Sequence, residues 1–181
     1  MGSSFYDMGP LQQVAINLFH GWGYNFYRKE NQLRADDQVI RARVGALLAA
    51  ARKSVETAEN TYRREFIPPP TREKPRPDAV AVAVAQNLER LSKGIGALIA
   101  LISAQPVPEN DRMTQRYRNE AATLQRLIES DQKLTGQAEL LRTMLDQKTG
   151  PWLAEHASEM QEGVTAIGET LRERQMLLFP A

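Results

Sequence analysis

A chain of 181 residues, 42% hydrophobic and 25% charged, is ordinary for one globular domain with its own core. A formal net charge of +1 gives no global pull toward nucleic acid or an anionic membrane. The absence of cysteine excludes disulfides, thiolate metal sites and cysteine nucleophiles, and no run approaches the roughly 20 apolar residues of a membrane span.

Residues 1–31 read as an aromatic-rich amphipathic segment. Leu11, Val14, Ala15, Leu18, Phe19, Trp22 and Phe26 share one side of a helical wheel, and Pro10 suits a first helical turn. Gly21 and Gly23 each cost about 1 kcal/mol against Ala in a helix interior. The spacing therefore predicts a short helix and a break, with one continuous kinked helix as the alternative. Seven of the twelve aromatic residues precede residue 28. One reading packs them over an end of a bundle. The other makes Leu18, Phe19, Trp22, Tyr24, Phe26 and Tyr27 a contact element for a partner or a membrane surface, with Arg28 and Lys29 as basic flank.

Residues 32–181 carry four long helical patterns. The first, Gln32 to Phe66, repeats apolar side chains at Leu33, Ile40, Val44, Leu47, Ala51, Val55, Ala58 and Tyr62. That stripe runs about 50 Å and requires partner helices. Residues 67–77 hold five prolines, which predicts an extended, polyproline-like connection. Asp78 suits the N-cap of a second helix, Ala79 to Ala104, striped by Val80, Val84, Leu88, Leu91, Ile95, Leu98 and Ile102. From Gly94 onward this helix is apolar all round, as expected of a bundle centre or a subunit contact through Gly96, Ala97, Ala100, Leu101 and Ala104.

A third helix is predicted over Asp111 to Lys148. Its middle is weaker, because Asp131 lies on the apolar stripe and Gly136 is a poor helix former. Thr149-Gly150-Pro151 reads as a C-terminal glycine cap and a proline restart. The fourth helix, Trp152 to Leu178, sets Leu153, Ala157, Met160, Val164, Ile167 and Leu171 opposite a row of glutamates.

Chemistry finds little purchase. The two histidines, His20 and His156, lack the Glu three residues upstream that di-iron bundles use, so neither metal nor other cofactor is expected. No serine-hydrolase or phosphate-loop motif is present. Asp36, Arg43 and Asp131 sit on or near apolar stripes, which predicts positions where a stripe reaches solvent, or else buried register devices. Acidic residues interleave the basic ones around the proline connection, so no nucleic-acid partner is expected.

The expected fold is all-α, an antiparallel bundle of four long helices with a short or kinked N-terminal extension. The expected function is non-enzymatic: an adaptor or structural component acting by protein–protein association, including self-association. The alternative is a peripheral membrane or secretion-related component contacting lipid or partner through residues 11–27. A third is a small-ligand binder in the bundle core. A cytoplasmic location is expected, with an upstream leader left open.

Overall fold

The structure, a computed structural model, describes residues 8–27, 32–106 and 121–178. The fold is all-α, and the described residues contain no strand. The described residues form six helices, in order α1 (Met8–Trp22), α2 (Gln32–Phe66), α3 (Ala79–Ala104), α4 (Ala121–Leu145), α5 (Gly150–Glu155) and α6 (Ala157–Leu178).

The bundle is a ring in which α2 packs on α3, α3 on α6, α6 on α4, and α4 on α2. Helices α2 and α3 run antiparallel. Arg41 near the start of α2 donates to the Ser103 carbonyl at the end of α3, while Arg63 near the end of α2 reaches Glu89. The pairings around the ring are not all antiparallel. The α2 residues Asp37 and Tyr62 lie beside Arg174, bound to Asp131, and beside Gly150, so α2 and α4 run in the same direction.

Regular stripes explain the core. Ile40, Val44, Leu48, Ala51, Val55, Ala58 and Tyr62 line the inner face of α2 in steps of three and four. Leu48 takes the core position expected of Leu47, which is half-buried. At the start of α3 the buried residues are Ala81 and Ala85, while Val80 is 69% exposed. The alternating run 79–85 offered apolar residues to both faces, and the small ones face inward. Further along, Leu88, Leu91, Ile95, Leu98 and Ile102 are buried as their spacing predicts. Each fully buried Leu or Ile contributes about 1.5–3 kcal/mol.

The segment boundaries show where spacing alone falls short. Asp78 caps α3 as expected, its carboxylate accepting from the Val80 N–H at 3.1 Å. The chain breaks after α1, with Gly23 at φ +75°, so the continuous kinked helix is not adopted. The proline connection is exposed, but Thr71 and Lys74 fold into a compact turn: the Thr71 N–H donates to the Lys74 carbonyl at 3.1 Å. Gly150 does not cap α4. The left-handed residue there is Gln147, at φ +55°, and Gly150 opens α5 where a Cβ would lie 2.7 Å from Tyr62. The fourth predicted helix is interrupted at His156, whose Nδ1 lies 2.9 Å from the Trp152 carbonyl and whose ring stacks on Trp152. Residues 111–120 of the third predicted helix lie outside the described residues, as do Phe5, Tyr6, Arg28 and Lys29.

Candidate functional site

Charged residues occupy core positions on three helices at one level of the bundle. Asp37 lies one helical turn before Ile40 on α2, Asp131 between Leu127 and Leu134 on α4, and Arg174 between Leu171 and Leu178 on α6. Each is at most 1% exposed. Arg174 is the hub: its Nε donates to Asp131 Oδ1 at 2.6 Å and its Nη1 to Asp37 Oδ1 at 2.8 Å. Arg41, one turn along α2, stands 3.6 Å from the other Asp37 oxygen.

The turn after α1 closes this cluster from outside. The Tyr24 hydroxyl donates to Asp131 Oδ2 at 2.8 Å, and the Tyr27 hydroxyl donates to the same oxygen. Asp36 then holds the turn's backbone, accepting from the Asn25 N–H at 3.1 Å and the Tyr27 N–H at 2.9 Å. Phe19, Tyr24, Phe26 and Tyr27 pack around these groups, with the Tyr24 ring 4.9 Å from Phe26 and 5.6 Å from Tyr27. Both Phe26 and Tyr27 adopt left-handed backbone, at φ +53° and +55°, a strained conformation for aromatic residues.

Proton affinities follow from this enclosure. Burial, reinforced by the Asp131 charge, raises both tyrosine pKa values far above the usual phenol range, so both hydroxyls stay donors. Burial also raises Asp36 and Asp37. Two backbone N–H groups oppose that shift at Asp36, and Arg174 opposes it at Asp37. For Arg174 burial works in the lowering direction, but Asp131, Tyr27 and Asp37 outweigh it and fix the guanidinium as a cation. Asp131 spends its two oxygens on three donors. The arrangement joins the α1 turn, α2, α4 and α6, and its charges answer one another inside the protein.

The candidates named from sequence divide between core and surface. Phe19, Tyr24 and Tyr27 are buried, and Leu18, Trp22 and Phe26 are half-buried. The α1 side facing outward carries Gln12, Gln13, Val14, Asn17 and His20. On α3, Ala97, Ala100 and Ala104 are exposed, Leu101 is half-buried, and half-buried Gly96 lies under the Arg52 guanidinium. Asp36 and Asp131 do not reach solvent as a stripe end would, whereas Arg43 does. Asp37 and Arg174 escaped the sequence reading. The signal was present: Arg174 continues the run Leu153, Ala157, Met160, Val164, Ile167 and Leu171 in its steps of three and four.

Among the described residues no group of three or more histidine or acidic side chains is placed to hold a metal ion, and no helix is long and apolar enough to cross a membrane. A cleft of about 570 Å³ opens between the second half of α2 and residues 146–151, with Lys53, Thr57, Tyr62, Glu65, Lys148 and Thr149 among its walls. Lys148 caps the Trp152 ring at 4.7 Å beside it. No protein-family model matches this chain, and no curated protein or solved structure matches it.

Proposed function

We propose that this protein is a non-enzymatic helical scaffold, an adaptor or structural component that acts by protein–protein association, including association with itself. The observation that carries this reading is the outer face of the second half of α3. Ile95, Leu98 and Ile102 turn inward, yet Ala97, Ala100 and Ala104 remain exposed on a stretch with no charged residue from 94 to 106. Small side chains let a second helix approach closely, and uncovered apolar surface of this kind marks contact sites, with the Arg52 guanidinium over Gly96 at its edge. The bundle behind that face is held by the buried ionic joint, which suits a part that presents a fixed surface.

Sedimentation over a range of concentrations tests this. The wild type should form dimers or larger particles, and Ala100→Glu should yield smaller particles of unchanged helicity. A wild type that stays monomeric at high concentration would overturn the self-association.

A second reading, contact with lipid or a partner through residues 11–27, draws on Val14, 38% exposed, and on half-buried Leu18 and Trp22. The amide-rich outer face of α1 favours protein over acyl chains. Flotation with liposomes separates the two.

A further inference from the structure

We propose that copies of this chain associate head to tail, the acidic outer face of α6 in one copy docking on the basic outer face of α2 in the next. The inference rests on the self-association proposed above and adds a contact separate from the α3 face. Three observations carry it.

The two faces hold opposite charges that the chain leaves unpaired. Several cations nearby meet acids of their own helix, as Arg52 meets Glu56 and Lys93 meets Glu89. On α2, exposed Lys53 and Arg64 stand on one line of the helix, and no ion pair engages either among the described residues. On α6, exposed Glu162 and Glu169 share the outward line and are likewise unpaired. Charges of the contrary sign lie aside. Glu65 is about a third of a turn round α2 from Lys53, and Arg172 turns toward Gly168 on the flank that meets α3.

The faces point in opposite directions. Helices α2 and α6 occupy opposite corners of the ring, and α1 packs on α4, away from both faces. Helix α6 runs parallel to α3, since Gly94 lies beside Val164, Leu98 beside Gly168, and Gln105 donates to the Leu171 carbonyl. It is therefore antiparallel to α2. A second copy displaced along that diagonal, without rotation, sets its α6 antiparallel on the α2 of the first. Such a contact is heterologous and repeats without closing.

Spacing and shape agree in that register. With Lys53 opposite Glu169, Ala46 falls opposite Met176, because each lies seven residues away, about 10.5 Å along its helix. Met176 is an apolar side chain left 64% exposed. Exposed Ala42, Ala46 and Ala49 give it a small apolar floor. Arg64 then falls between Glu162 and exposed Glu155. Pairing either face with its own copy would oppose equal charges, so the complement of each face is the other.

The test uses full chains that all carry Ala100→Glu, which blocks the α3 contact, with circular dichroism to check helicity. Sedimentation should show species heavier than the 20.4 kDa monomer that lengthen with concentration. A monomer at every concentration overturns the proposal, and leaves the α3 reading standing where the wild type associates. Adding Lys53→Glu with Arg64→Glu, or Glu162→Lys with Glu169→Lys, should return each chain to monomer mass. Mixing these two chains equally should restore association, because the reversed faces complement each other. A control, Arg72→Glu with Lys74→Glu, changes net charge equally on the proline connection and should leave association unchanged. Reversed chains that still associate alone, a mixture that stays monomeric, or an equal loss in the control overturns head-to-tail docking.

Discussion

Asp131 on α4 and Arg174 on α6 meet at 2.6 Å, with neither side chain more than 1% exposed. Their helices are joined in sequence by α5 and are antiparallel, so this bond fixes the axial level of one against the other. Tyr24, Tyr27 and Asp37 then set the levels of the N-terminal turn and α2 against the same pair. A buried charge out of register has no partner, so this network adds a register requirement to that of the apolar packing.

Arg174→Met should be strongly destabilising, because it leaves Asp131 and Asp37 buried without their cation. The expected loss is about 3–5 kcal/mol in urea unfolding. Combined with Asp131→Asn, the two losses should fall short of additivity by about 0.5–3 kcal/mol, as for groups in one network. A single-variant loss below about 1 kcal/mol would show that the pair does not hold the bundle together.

Gly136→Ala sets helix propensity against close approach. Propensity alone predicts a gain of about 1 kcal/mol. The added Cβ would lie 2.6 Å from the Leu11 Cβ and 2.7 Å from its carbonyl oxygen, so α1 must shift, at about 1–3 kcal/mol for overpacking. We expect net destabilisation and faster amide exchange in residues 11–22. A more stable protein with α1 still protected would contradict the observed packing.

The pH dependence has a definite sign. Asp36 and Asp37 have folded pKa values raised above the ordinary 3.8 by burial. The folded state therefore holds these protons more tightly than the unfolded chain does. Their contribution to stability is fully present below the ordinary value and is lost as pH rises through the raised folded values. Other carboxylates add their own slopes, so the readout is the difference between wild type and Asp36→Asn. The variant should lose less stability than wild type as pH rises from the ordinary 3.8 through the raised folded value, whatever its absolute level. Parallel profiles would refute the shift at Asp36.

Leu98→Ala tests the ring packing directly. Leu98 is 6% exposed and approaches Gly168 of α6. Truncation should cost about 2–5 kcal/mol in chemical denaturation, as for large-to-small changes in packed cores. A loss below about 0.5 kcal/mol would mean that α3 and α6 do not pack there.

Periodicity by itself determined the helical class, the four long helices and most of their inner faces, because a step of three or four residues is a local property of the backbone. Proline and Asp78 likewise marked the end of α2 and the start of α3 through their own bonding. Tertiary structure decided what the exceptions meant. Asp131 and Gly136 look like faults in a helix when α4 is considered alone. In the fold one is the acceptor for Arg174 and two tyrosines, and the other is the gap that admits Leu11. Sequence places Asp37, Asp131 and Arg174 on their stripes, but it carries no term for the axial offset between helices. That offset brings opposite charges to one level, and it turns the N-terminal aromatics inward to cover them.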